Sequence, residues 1–352
     1  MLKKYRIYLI IVYSLLITTI SLSIIKTNYS ITVPGPTTNL NKIINFNDKP
    51  YPSNIYSVSV VDYNNVSVMS YLIGKLNKKA LVDKQNAYVD TSVSYQLSSG
   101  TIQKDVSINN ALICGFTTAN IPINYEFKGF IVHSLYGQAY KYFKVGDIIT
   151  SYHNNILKEN YGLSQAIFDY EEEDSLSLDK EYIITLIRDN ETINVSSKPF
   201  IYQEDNFERV MLGLSMYAYY EIEDDNMDLY NINYPSTTGP SAGLAMALYV
   251  YDQLSNKNLT KDLKIVNTGT IDIDGTVGSI GGVEAKIISS YNAGATHFFV
   301  PIDNYEDAFE AMIHSTNLDE RGQKWHRTLG YIPCDSMKTE SVAFELEYCL
   351  AD

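Results

Sequence analysis

Apolar and polar residues follow different rhythms along this chain. Ile7 to Ile25 is a 19-residue run without a charge. As a helix it would extend ~28 Å, close to the hydrocarbon thickness of a bilayer. Lys3, Lys4 and Arg6 precede it and only Lys26 follows closely. The positive-inside rule therefore puts the N-terminus in the cytoplasm and everything after residue 26 outside. The run exceeds a usual signal core and no Ala-x-Ala-like site follows Ile25, so it reads as an anchor rather than a cleaved signal.

Beyond the anchor the periods shorten. Val33-Pro-Gly-Pro36 marks a turn or extended stretch. Ile55 to Val61 alternates as a strand does, and Tyr88 to Tyr95 is a second strand candidate. Val106 to Cys114 reads as a short helix stopped by Gly115. Tyr182 to Arg188 and Thr192 to Val195 flank Asp189-Asn190 and predict a hairpin. Met211 to Tyr220 and Leu229 to Tyr234 are strand-like. An apolar helix is expected over Ala242 to Leu254, then a strand over Leu263 to Asn267 and a hairpin tipped by Asp274-Gly275. A helix carrying Lys286 runs to Asn292 and stops at Gly294. A strand from His297 to Val300, a helix from about Tyr305 and a last helix ending near Leu350 complete the pattern.

At 352 residues the chain has room for about two soluble domains besides the anchor. Its 41 acidic and 27 basic residues give a net charge of −14, with no basic run beyond the N-terminus. That balance argues against a nucleic-acid partner. No Gly-x-x-x-x-Gly-Lys-Ser/Thr run occurs, so ATP is not expected as a ligand. Cys114, Cys334 and Cys349 lack metal-ligand spacing, and no metal or other cofactor is expected. A Cys334–Cys349 disulfide and three thiols are both open readings.

Candidate chemistry centres on Ser241, in Asn233-Tyr-Pro-Ser-Thr-Thr-Gly-Pro-Ser-Ala-Gly243, and on Lys286, in Gly281-Gly-Val-Glu-Ala-Lys286. Gly239 and Pro240 set Ser241 at a helix start, where proline's missing N–H costs nothing. Amide groups there are unsatisfied donors able to hold a developing oxyanion. A serine so placed needs only a base, and a lysine can serve once it loses its proton. A free lysine titrates near ~10.4 and a working base near roughly 7 to 8, a gap of ~4 kcal/mol that burial can supply. The start of a helix pushes the same way, whereas the acidic chain opposes it. Gly239-Pro-Ser241-Ala-Gly243 also fits the Gly-x-Ser-x-Gly elbow of α/β-hydrolases. His297, His314 and His326 follow it, but no His-Gly-Gly motif is present, and His297 on a core strand reads as filler.

The wider context resembles the proteolytic domain of Lon-type serine proteases, which use a Ser–Lys dyad. The resemblance rests on Gly239-Pro-Ser-Ala-Gly-Leu-Ala-Met-Ala-Leu248, Thr268-Gly-Thr-Ile-Asp-Ile-Asp-Gly-Thr-Val-Gly-Ser-Ile-Gly-Gly282, Lys286 and Ala293-Gly-Ala-Thr-His-Phe-Phe-Val-Pro301. It implies that Ser241 is the nucleophile, Lys286 the general base and Thr268 a neighbour of the lysine amine. Amides around Gly239 to Ser241 would hold the oxyanion. ATP-dependent members carry Lys-Asp before the Gly-Pro-Ser run, whereas Thr237-Thr238 stands here, and no role passes to those threonines. The family's rings imply a homo-oligomer.

Residues 116 to about 200 resemble a PDZ domain of the bacterial protease type, through Lys128-Gly-Phe-Ile-Val132, Val145-Gly-Asp-Ile-Ile149 and the closing Tyr182 hairpin. That resemblance implies a loop of Gly129, Phe130 and Ile131 that offers amides to a peptide's terminal carboxylate, steered by Lys128. Asp169-Tyr-Glu-Glu-Glu-Asp174 reads as a solvated loop. The expected fold class is α+β. It comprises an anchor (1–26), a β-rich segment (27–115) with an inserted PDZ-like domain (116–200), and a Lon-type α/β proteolytic domain with a tail (205–352). This order is similar to membrane-anchored, PDZ-containing Lon-like serine proteases. It implies an ATP-independent endopeptidase acting on polypeptides at the outer face of the cell membrane. A non-catalytic adaptor built on the same domains is the alternative.

Overall fold

The computed structural model describes residues 2–47, 51–77, 79–204, 207–223, 228–261 and 263–316. The expected tail helix, Cys334, Cys349 and His326 lie outside them. The N-terminal run forms helix α1 (Leu2–Ile24). Its stretch Tyr5–Ile24 is long and apolar enough to cross a membrane, a description that an anchor and a signal sequence both meet.

Strands β1 (Tyr29–Asn39), β2 (Ile44–Phe46) and β3 (Ile55–Tyr63), helix α2 (Val68–Leu76) and strand β4 (Leu81–Lys84) follow, then helix α3 (Val93–Thr118). Two expectations fail here. Tyr88 to Tyr95 is no strand: Asp90 accepts the Ser92 amide at 2.7 Å, and the Ser92 hydroxyl accepts that of Tyr95, capping α3. Nor does Gly115 stop the helix. It lets α3 lie against a later helix, since a Cβ there would come within 2.5 Å of Val250.

The chain then builds a second sheet from β5 (Tyr125–Leu135), β6 (Ile148–Tyr152) and β7 (Asn155–Ile156), crosses by helix α4 (Leu163–Glu171), and adds β8 (Tyr182–Arg188) and β9 (Glu191–Ser197). Asp189 and Asn190 turn the β8–β9 hairpin with φ of 51° and 65°, as expected of Asx residues. A ribbon of β10 (Phe200–Glu204) and β11 (Phe207–Met211) leads to β12 (Leu214–Ile222), which returns to pair with β5. The strand order is β12-β5-β6-β8-β9, with β7 on β6.

The remaining described residues give β13 (Tyr230–Ile232), α5 (Gly243–Ser255), β14 (Ile265–Asn267), the hairpin β15 (Thr270–Ile271) and β16 (Val277–Gly278), α6 (Val283–Asn292), β17 (His297–Phe299) and α7 (Tyr305–Thr316). They do not stand apart from residues 27–115. β14 pairs in parallel with both β17 and β3, giving the order β17-β14-β3-β1-β4, and β13 pairs with β2. One core joins Leu40, Ile44, Ile108, Leu112 and Phe116 to Leu244, Leu248, Tyr249 and Ile265. The β5–β12 sheet has its own core around Val132, Ile149, Tyr152, Tyr182 and Ile184.

Candidate active site

Ser241 and Ala242 form a turn directly before α5. Gly239 bends the chain ahead of them with φ of 90°, a conformation that glycine adopts without strain. The Ser241 carbonyl accepts two hydrogen bonds, from the Gly269 amide at 2.9 Å and from the Thr268 hydroxyl at 3.1 Å. The Thr268 oxygen in turn accepts one from the Lys286 amine at 3.2 Å. Lys286 and Thr268 are 2% and 0% exposed, so this link is dry. Gly282, with φ of 69°, swings the chain into α6 and sets Lys286 on its first full turn, its amide bonded to the Gly282 carbonyl. Burial lowers the lysine's proton affinity, bringing its pKa from 10.5 to about 8, against an opposing pull from Asp62. The structure thus brings Ser241, Thr268 and Lys286 together, through Thr268.

The oxyanion donors need correction. The Gly239 amide is already bonded to the Gly100 carbonyl at 2.8 Å, and Pro240 has none to give. The amides of Ser241 and Ala242 have no acceptor among the described residues, so they are the free donors at this turn. Gly239 and Pro240 shape the turn instead.

Helix α3 supplies what sequence reasoning missed. Besides the Gly100–Gly239 bond, Ser107 donates to the Pro240 carbonyl at 2.9 Å and Lys104 to that of Pro235 at 3.3 Å. A Cβ on Gly100 would come within 2.6 Å of the Thr238 side chain. The loop before Ser241 is therefore held by a helix about 140 residues upstream. Glycines inside an apolar helix cost about 1 kcal/mol each, and were the one signal that α3 is closely approached.

Ser241 opens onto a cleft of about 770 Å³ whose far wall is the end of β3 and the turn after it, from Ser59 to Asn65. β14 covers β3 only at residues 55–57, so beyond them β3 has a strand neighbour on the β1 side alone among the described residues. The cleft thus has an open strand edge along one wall and a serine on the other.

The expected PDZ-type loop is also corrected. Gly129, Phe130 and Ile131 lie within β5, flanked by β12 at Tyr219, Ala218 and Tyr217, and Phe130 and Ile131 also face β6. With strands on both sides, these residues form no open loop. Lys128 sits between Glu126 and Glu221. A different feature of this sheet is open. β12 is an edge strand, and a groove of about 510 Å³ runs between α4 (Leu163, Ile167, Phe168) and the Arg209–Met216 stretch. At its centre Leu212 and Gly213 are buried, and their amides have no acceptor among the described residues.

Elsewhere, His297 is half-buried with burial lowering its pKa, and it stays apart from Ser241 and Lys286 in the hydrogen-bond network. Cys114 is a buried thiol pushed up to about 12 by burial, hence inert. Among the described residues no cluster of His, Cys, Asp or Glu could hold a metal ion.

Residues 225–316 match the family model of the Lon protease (S16) C-terminal proteolytic domain. This part of the chain is similar to the Lon-type proteolytic domain. The Lon protease of Ureaplasma parvum serovar 3 is 42% identical over 66 residues, 19% of this chain and 8% of that protein. That of Fusobacterium nucleatum is 39% identical over 72 residues, 20% of this chain and 9% of the relative. That of Helicobacter pylori is 27% identical over 128 residues, covering 35% and 14%. The likeness thus spans about a tenth of each relative's length. The Lon-type stretch contains Ser241, Thr268 and Lys286, whereas α3, β3 and the cleft wall they form lie outside it.

Proposed function

We propose that this chain is a membrane-anchored serine endopeptidase that cleaves polypeptides without ATP, using Ser241 and Lys286. The observation that carries this reading is the Lys286 amine. It is sealed from water, lowered to about 8, and tied through Thr268 to the backbone of a serine at the mouth of an open cleft. A neutral amine there takes the Ser241 proton as the hydroxyl attacks the peptide carbonyl, then returns it to the leaving nitrogen. The Ser241 and Ala242 amides meet the developing oxyanion, each such donor being worth roughly 3 kcal/mol. The substrate lies as an added strand along the open edge of β3.

The β5–β12 sheet acts as the PDZ-like recognition module, with the groove beside α4 as its peptide site in place of Lys128 to Ile131. The helix α1 anchors the chain with these domains on the outer face of the membrane. Full-length chain in detergent micelles should degrade an unfolded protein with no nucleotide present. Ser241→Ala should reduce that by at least a thousandfold with an unchanged circular-dichroism spectrum. An alanine variant as fast as the parent would refute the reading.

A further inference from the structure

We infer that Asp62 is a specificity carboxylate, selecting polypeptides with a lysine or arginine side chain beside the scissile bond. The inference rests on the proteolytic reading and names the substrate class for that cleft. Among the described residues that line the cleft, Asp62 is the one charged side chain, and its companions there are hydroxyls, amides and small apolar groups. A lone charge in a cleft with low-dielectric walls selects by sign more strongly than one on an open surface.

Its position suits that task. Asp62 is exposed to the cleft, and Thr32, its cross-strand partner on β1, donates a hydrogen bond to Oδ1. One oxygen fixes the carboxylate's orientation while Oδ2 has no hydrogen-bond partner among the described residues. Asp62 lies in the part of β3 whose outer edge is open, so a peptide added there runs directly past it. Alternation along the strand puts Asp62 on the same face as Val60, whose side chain a Cβ on Gly282 at the start of α6 would meet at 3.2 Å. Val58 on the same face packs with Val283 and Ile287 of α6, the helix that carries Lys286, and Asp62 pulls on that lysine's amine, so a side chain reaching Asp62 belongs to a residue close to the bond being cut. No other charge competes for Asp62 from the neighbouring strands, since β1 and β14 carry none. Lys286 donates its hydrogen bond to Thr268 and acts on Asp62 only through space.

A lysine or arginine on the substrate completes a charge-assisted hydrogen bond with Oδ2, whereas a glutamate meets repulsion. One such bond at a partly desolvated site corresponds to about tenfold in selectivity.

The test uses full-length chain in micelles and a peptide series with lysine, norleucine or glutamate at each position around the cleavage point. At one position the parent should favour lysine over the isosteric norleucine by about tenfold in kcat/KM. Asp62→Asn should bring that ratio to about one, and Asp62→Lys should turn the preference towards glutamate. The same series is titrated onto the Ser241→Ala chain, alone and combined with Asp62→Asn, so that charge preference is also read as binding. A lysine-to-norleucine ratio untouched by Asp62→Asn, or no charge preference in either assay, overturns the inference. Absence of cleavage by the parent counts against the proteolytic reading instead, and the binding arm then decides for Asp62.

Discussion

Replacing Lys286 with methionine should remove activity and make the protein more stable at neutral pH. Proton linkage sets the stability change. The native state holds this amine near pH 8, against 10.5 for an exposed lysine. Between those values the unfolded chain carries a proton that the native chain has released, so stability rises with pH across that window. Below about 8 the full penalty of burying an ammonium applies, and above about 10.5 it is gone. Its size is about 3 kcal/mol. Methionine fills nearly the same space without a charge, losing only the bond to Thr268, worth about 1 kcal/mol. At pH 7 the variant should therefore be more stable by about 2 kcal/mol, and at pH 10.5 less stable by about 1 kcal/mol. Urea unfolding of both chains followed by circular dichroism from pH 6.5 to 10.5 gives the difference directly. The parent's kcat/KM should show the same proton, rising about tenfold for each pH unit below 8 and levelling above it. A stability difference flat in pH would show that Lys286 is not the buried titrating amine described here, whatever the variant does to activity.

Two further predictions follow from the surroundings of this site. Gly100→Ala should displace the Thr238 side chain and with it the loop before Ser241. It should lower kcat at least tenfold with little change in KM, and a kcat equal to the parent's would show that α3 does not position the nucleophile. In the second sheet, Lys128→Ala should leave affinity for a peptide with a free C-terminus unchanged, whereas Leu214→Asp should weaken it at least tenfold in a fluorescence-anisotropy titration. The reverse pattern would restore the strand residues to the role that sequence suggested.

Where local geometry rests on a short motif, the chain was readable in advance. Gly239-Pro-Ser241 and Gly281-Gly282 announce turns into helices, because proline and positive-φ glycine leave few other backbone paths. The Asp189-Asn190 hairpin and the apolar run of α1 were equally legible from local rules. Failures came where neighbours decide. Tyr88 to Tyr95 alternates acceptably for a strand, yet Ser92 and Asp90 satisfy the backbone locally and start a helix. Gly115 looks like a stop signal until Val250 is seen to need its missing Cβ.

Lys128-Gly-Phe-Ile-Val132 shows the same limit from the side of recognition. The short apolar motif is present, but β12, arriving some 80 residues later, takes the edge that an incoming peptide would use. Which amides remain free at a turn, which strand edge is left open and which lysine loses its water depend on what packs from far along the chain. Sequence by itself singled out Ser241, Thr268 and Lys286 as candidates and determined the elements that carry them. Only the tertiary structure decided that α3 holds the loop before Ser241, that Ser241 and Ala242 keep the unpaired amides, and that Asp62 faces the cleft. Hydrogen bonds and desolvation act between surfaces that meet in space, and no local rule of spacing encodes that meeting.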